Sequence, residues 1–266
     1  MIFVYKWNIL KENVERRGPM IKRETYMKRI RPFIGKELVK VMTGIRRSGK
    51  SVMLELIQDE LRSNGVSADN FISINFEDLR YTHLLNAMAL HEEILKRAEH
   101  IQGKVYLFFD EIQEVTDWEK CINSFRVSLD CDIYITGSNA KLLSGELATY
   151  LGGRYVEFVI YPFSFTEFLE LYHSIDPDAS MQQCFQKYLL AGGMPYLSNI
   201  RYEEEPSKQY LVDLFNSVQL KDIVKRNKVR DVDLLERIIA YVIANIGTTF
   251  SAASLVKFLK NERRAT

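Results

Sequence analysis

The segment Gly44-Ile45-Arg46-Arg47-Ser48-Gly49-Lys50-Ser51 constrains this chain more than any other. It fits G-x-x-x-x-G-K-[ST], and it lies between an apolar run, Leu38–Met42, and a stretch in which Leu54, Ile57 and Leu61 recur at helical spacing. Such a loop works only between a buried strand and a helix N-terminus. Its glycines let the backbone wrap so that N–H groups converge on phosphate oxygens, and the helix adds the positive end of its dipole. The residues expected to hold a nucleotide are therefore Gly44, Ile45, Arg46, Arg47, Ser48, Gly49, Lys50, Ser51 and Val52. Lys50 is expected on the β- and γ-phosphates and the Ser51 hydroxyl on Mg²⁺. For Arg46 and Arg47 a solvated face is the alternative.

A loop of this kind demands a parallel sheet, and the chain supplies one. Strand-length apolar runs at Leu38–Met42, Phe71–Phe76, Val105–Phe109, Ile133–Thr136 and Tyr155–Ile160 alternate with helical patterns such as Trp118, Ile122, Phe125 and Leu129. From Phe165 onward the pattern is helical alone: Leu235, Ile239, Val242 and Ile246 mark one long helix, Gly247 its end, and Ser251 the N-cap of the next.

The third run, Val105–Phe109, ends in Asp110-Glu111. At the carboxyl end of a buried strand, where ligands of such sheets gather, Asp110 is placed to hold Mg²⁺ through water and Glu111 to polarise an attacking water. A phosphotransferase has no use for the second acid, so the pair favours hydrolysis. It also implies that another strand lies between the loop strand and the acidic strand. The fourth run, which ends Thr136-Gly137-Ser138-Asn139, suits that place, with Ser138 or Asn139 bonding the water or the γ-phosphate; a plain turn is the alternative. Glu77 and Asp78 end the second run, either as helpers of water or metal or as a strand-end cap.

Composition excludes several classes. With 47% hydrophobic and 27% charged residues, the chain is neither fibrous nor disordered. Its three cysteines, Cys121, Cys131 and Cys184, form no C-x-x-C pair, which argues for a reducing cytoplasm. The first residues fail as a signal peptide, no apolar run is long enough for a bilayer, and the four histidines show no metal spacing. The net charge of +1 conceals a split: residues 1–36 carry +7, residues 37–200 carry −9, and residues 201–266 carry +3. Five cations within residues 221–230 admit a DNA contact or a solvated helix end.

The segments GIRRSGKS at 44–51, FISINFED at 71–78, YLFFDEIQEV at 106–115, YITGSNAKLL at 134–143, LGGRYVEFVIYPFSFTEFLE at 151–170 and AGGMPYL at 191–197 resemble, in this order, prokaryotic AAA-superfamily ATPases. The group is the one joined to a C-terminal domain of unknown function, akin to STAND signal-transduction ATPases, and the resemblance runs from about Ile21 to the end. It implies an α/β P-loop NTPase fold of five parallel strands, with the Walker A and Walker B strands separated by the sensor strand. A helical lid and the start of a winged-helix-like element follow. It also makes Arg154 a phosphate-sensing or finger arginine, in trans if the chain self-associates; pairing with Glu157 is the alternative.

The expected layout is an N-terminal extension at 1–19, an ATPase core at 20–165, a lid at 166–230 and an incomplete winged-helix-like element at 231–266. Members of the group usually run on past the point where this chain stops. The implied activity is Mg²⁺-dependent ATP hydrolysis coupled to conformational change, with Lys50, Glu111, Arg154 and Asn139 catalytic and Ser51 and Asp110 on the metal. The alternative is a nucleotide-gated switch binding DNA or a protein partner through the basic ends. No N-K-x-D guanine-recognition element occurs, which favours ATP.

Overall fold

Residues 21–137, 151–218, 224, 229–249 and 251–265 are described by the structure, a computed structural model. They build a five-stranded, all-parallel sheet from β1 (Val39–Thr43), β2 (Phe71–Asn75), β3 (Val105–Asp110), β4 (Cys131–Thr136) and β5 (Tyr155–Val159). The order across the sheet is β2-β3-β4-β1-β5. β4 thus separates the loop strand β1 from the acidic strand β3, as the sequence required.

The strands read as near-continuous apolar runs because both faces are covered. Side chains alternate across the pleat, so Val39, Val41, Ile72, Ile74, Leu107, Phe109, Ile133 and Ile135 share one core. That core packs against α3 (Ala87–Ala98) and α4 (Trp118–Ser128) through Leu90, Ile94, Trp118, Ile122 and Phe125. The opposite face carries Met42, Phe108, Tyr134 and Phe158 against α1 (Glu24–Ile30) and α2 (Lys50–Ser63). The predicted α2 stripe of Leu54, Ile57 and Leu61 is buried there.

After β5 the chain turns helical with α5 (Phe165–Tyr172), α6 (Met181–Ala191) and α7 (Glu204–Val218). Both α5 and α6 start at capping boxes, Ser164 with Glu167 and Ser180 with Gln183, each satisfying two otherwise orphan backbone donors. Phe165 and Phe168 meet Tyr188, and Phe168 also meets Tyr172 and Tyr202, so these aromatics serve packing.

The chain divides into two compact units at Lys208 and Gln209. The expected limits at 165/166 and 230/231 both fall inside these units. In the second unit, α8 (Val232–Ala244) begins at an Asp231 cap and α9 (Ala252–Ala265) at the predicted Ser251, whose hydroxyl accepts from the Ser254 amide at 3.1 Å. Gly247, with φ of 82°, breaks the path between them. Helix α8 stops before Ile246, which is 76% exposed and does not extend the predicted apolar face. No helix among the described residues is long and apolar enough to cross a membrane.

Candidate functional site

β1 delivers its last residue, Thr43, directly into the glycine-rich loop. Gly44 adopts φ of 144°, and a Cβ there would lie 2.2 Å from the carbonyl oxygen of Ile160, the residue after β5, so no side chain fits. Arg47 takes a left-handed φ of 62° and Gly49 one of 98°, which bends the backbone back into the first turn of α2. Helices α3, α5, α6 and α8 each have a side chain capping the N-terminus; α2 has none. The α2 N-terminus therefore keeps backbone donors for an anion.

The Lys50 ammonium is buried and donates to the carbonyls of Gly44 at 3.3 Å and Ile45 at 3.2 Å. It stands 3.9 Å from Oε1 of Glu111. The Ser48 hydroxyl is fully buried and has no hydrogen-bond partner among the described residues, while Ser51 is exposed at the start of α2 and Val52 packs partly against the core. Ile45 is half exposed, Arg46 half-buried, and the Arg47 guanidinium lies 5.9 Å from the Tyr196 ring centroid.

Asp110 is buried at the carboxyl end of β3. The donors that reach it among the described residues are neutral: Asn75 Nδ2 at 3.1 Å, from the end of β2, and the Thr136 hydroxyl, from the end of β4. Thr136 Oγ1 also accepts from the Glu111 amide at 3.0 Å, so one hydroxyl joins the two acidic positions. Glu111 itself sits in the left-handed region at φ of 54°, and its carboxylate accepts from Gln113 Nε2. Burial pushes the Glu111 carboxyl above the ordinary range, against the opposing pull of Gln113 and Lys50.

The structure brings the glycine-rich loop, Lys50, Asp110 and Glu111 to one sheet edge. It does not bring Arg154 there. Arg154 precedes β5, its carbonyl accepts from Val39 N, and it lies a five-residue strand away from its own loop, about 16 Å at the usual rise. It is exposed and bonds Asn123 at 3.4 Å. The pairing with Glu157 is not observed either, since Glu157 accepts from Thr43 Oγ1 at 2.5 Å. Asp78 caps the turn at Leu79–Leu84 through the Arg80 amide, the structural reading of the two, while Glu77 is exposed. Ser138, Asn139, residues 1–19 and the cations Lys221, Lys225, Arg226 and Lys228 lie outside the described residues.

Sequence reasoning missed Asn75, Gln113, Thr136 and Arg23. The first and third carried a signal, being polar side chains at the carboxyl ends of apolar strands. The segment Gly192-Gly193-Met194-Pro195 lies within AGGMPYL, one of the segments that carry the family resemblance. In the structure it stands beside the loop: a Cβ at Gly49 would meet Pro195 Cγ at 4.0 Å, and a Cβ at Gly193 would collide with the Phe163 carbonyl oxygen at 2.0 Å. Glycine is required at 193 by that approach, which Phe163 N seals with a 2.7 Å bond to the Gly193 carbonyl.

Residues 36–169 match the AAA domain family. The chain belongs to that family. Membership supports nucleotide binding and hydrolysis in general terms. Residues 182–265 match a domain of unknown function (DUF8612), the combination that the sequence resemblance implied. An uncharacterized protein of Haemophilus influenzae is 38% identical over 248 residues, covering 93% of this chain and 61% of its own length. An uncharacterized protein of Methanocaldococcus jannaschii is 35% identical over 233 residues, covering 82% of this chain and 50% of its own. This AAA chain thus spans between half and three fifths of the relatives' length.

Among solved structures, AMPPCP-bound DnaA from Aquifex aeolicus is 13% identical, with a TM-score of 0.44, over 86% of this chain and 71% of that one. The Aeropyrum pernix ORC1 protein in complex with DNA is 12% identical, with a TM-score of 0.43, over 92% and 78%. Similarity this distant does not carry partners or activities from those proteins to this AAA chain.

Proposed function

We propose that this AAA chain binds ATP with Mg²⁺ at the carboxyl edge of its sheet and hydrolyses it, with Glu111 polarising the attacking water. The observation that carries the reading is the convergence of a buried lysine, an uncapped helix N-terminus, the buried Asp110 and the half-buried Glu111 within one sheet edge. Loop amides and Lys50 bind the phosphates. The lysine exchanges its long contacts with the loop carbonyls for shorter bonds to anionic phosphate oxygens, in which both donor and acceptor are charged. The buried Ser48 hydroxyl, without a hydrogen-bond partner among the described residues, fits a loop shaped around a ligand.

The metal fit is similar. Among the described residues no cluster of three or more His, Cys, Asp or Glu side chains could hold an ion by itself. Mg²⁺ is ordinarily held by one or two carboxylates, a hydroxyl, water and substrate phosphates, so Asp110 with Ser51 is a sufficient protein share. When bound, Mg²⁺ neutralises charge that develops on the phosphates. Thr136 and Asn75 orient Asp110 for that role, and burial of Glu111 raises its affinity for the water proton that it must attract. If Arg154 contributes, it does so in trans, because the fold holds it away from its own loop. Subunits carrying Arg154→Ala and subunits carrying Glu111→Gln then regain turnover when mixed.

The test is a pair of measurements on Glu111→Gln. ATP binding stays within about threefold of wild type, while turnover falls by about 10²- to 10⁴-fold, the usual range for losing a positioned acid or base. Wild-type turnover by Glu111→Gln would remove Glu111 from the mechanism.

A further inference from the structure

Arg23 lies outside the motifs and is 2% exposed. Burying a guanidinium costs several kcal/mol unless its donors are satisfied, and here they are satisfied by three separate parts of the chain. Nη1 donates to the Ser48 carbonyl at 2.9 Å, inside the phosphate loop. Nη2 donates to the Tyr161 carbonyl at 2.8 Å, in the exit from β5. Nε donates to Glu167 Oε1 at 2.9 Å and Nη2 to Oε2 at 3.3 Å, in the first turn of α5. The rings of Tyr26 and Phe163 lie 4.6 and 5.1 Å from the guanidinium carbon.

Two consequences follow from this geometry. The peptide between Ser48 and Gly49 is planar and trans, so holding its carbonyl toward Arg23 turns the Gly49 N–H to the opposite side. A phosphate accepting from that N–H polarises the peptide and strengthens the same carbonyl as an acceptor for Arg23. At the other end, Glu167 is both the partner of Arg23 and the reciprocal acceptor of the capping box, taking the Ser164 amide at 2.9 Å. Burial raises the Glu167 carboxyl, but Arg23 and Ser164 outweigh it and hold the group below the ordinary range. The carboxylate that starts α5 is therefore tied to the arginine that orients the loop.

We infer that Arg23 is a positioning residue that sets the Ser48–Gly49 peptide for phosphate and carries nucleotide occupancy to the base of α5. The inference rests on the nucleotide-binding reading above. Because coupling is reciprocal, loosening Arg23 from Glu167 weakens ATP binding as well as the response of α5, by about five- to tenfold at the low end of known couplings.

The experiment is hydrogen exchange on the full chain with and without a non-hydrolysable ATP analogue and Mg²⁺, for wild type, Glu167→Gln and Arg23→Lys. Glutamine at 167 preserves the capping box while removing the charge, and lysine at 23 preserves the charge while removing the fork. In wild type the analogue slows exchange both in the loop, residues 44–51, and in the first turn of α5, residues 165–168. In both variants the loop is still slowed, and the slowing at α5 shrinks at least about fivefold. A merely structural role would raise exchange equally with and without the analogue, which overturns the inference. So does a wild type in which the loop responds and α5 does not. If neither segment of wild type responds, the nucleotide-binding reading fails first and takes the inference with it.

Discussion

Two buried lysines, one within β1 and one at the start of the helix that follows it, carry opposite lessons. At the carboxyl edge, Lys50 makes long bonds to two loop carbonyls and stops 3.9 Å short of Glu111. Within β1, Lys40 is fully buried, pairs with Asp132 of β4 and donates to the Lys36 carbonyl at 2.7 Å. Asp132 in turn accepts from Tyr134 OH and from the Gly35 amide, both at 2.7 Å. Burial pulls the Lys40 ammonium below the ordinary lysine range and Asp132 pulls it back up, while burial pushes the Tyr134 hydroxyl up. The Lys40 ammonium and the Asp132 carboxylate are closed on each other and on Lys36, Tyr134 and Gly35 inside the sheet, which is structural work. Lys50 instead bonds the carbonyls of the glycine-rich loop at the start of a helix that has no side-chain cap, where backbone donors face an incoming anion. Placement at that helix N-terminus, rather than burial or charge, distinguishes the two.

Removing the Lys50 charge produces the largest effect on function. Lys50→Ala is expected to lose at least about 100-fold in ATP affinity, as measured by equilibrium titration, while its denaturation midpoint hardly moves. Breaking the closed pair does the reverse. Asp132→Ala leaves a buried ammonium uncompensated and costs about 3–5 kcal/mol in denaturant unfolding, with ATP affinity of the folded fraction unchanged. The double substitution Lys40→Met with Asp132→Leu recovers most of that stability, because a well-packed apolar pair replaces a buried ion pair at little net cost. If the double variant unfolds as readily as the single one, the closed group does more than satisfy itself. The smallest effect belongs to Thr136→Val, which strips one hydroxyl from Asp110 and the Glu111 amide. Turnover then falls roughly tenfold, the equivalent of about 1.4 kcal/mol, and binding changes less.

The loop site was legible in the sequence and the closed pair of Lys40 and Asp132 was not. Spacing and placement mark the loop from Gly44 to Ser51 and the pair Asp110-Glu111, because phosphate chemistry demands those residue types at those intervals. The strands were legible for a related reason: two-sided burial writes them as apolar runs, and β4 took the place that the acidic pair required. Lys40 and Asp132 lie 92 residues apart and meet only through strand register, Lys40 standing opposite Tyr134. Arg23 and Glu167 are 144 residues apart and meet only because three segments converge. No local pattern announces such partners. Arg154 shows the converse, since the family resemblance implied a role at the site while the strand direction puts it at the far edge.

The central claim is that Lys50 holds nucleotide phosphate whereas Lys40 only holds the fold. It is tested most directly by titrating ATP into Lys50→Ala in parallel with wild type under conditions where both are folded. The account predicts that at about 100 times the wild-type dissociation constant the wild type is saturated while Lys50→Ala is at most about half occupied. Equal binding by the two proteins would contradict it.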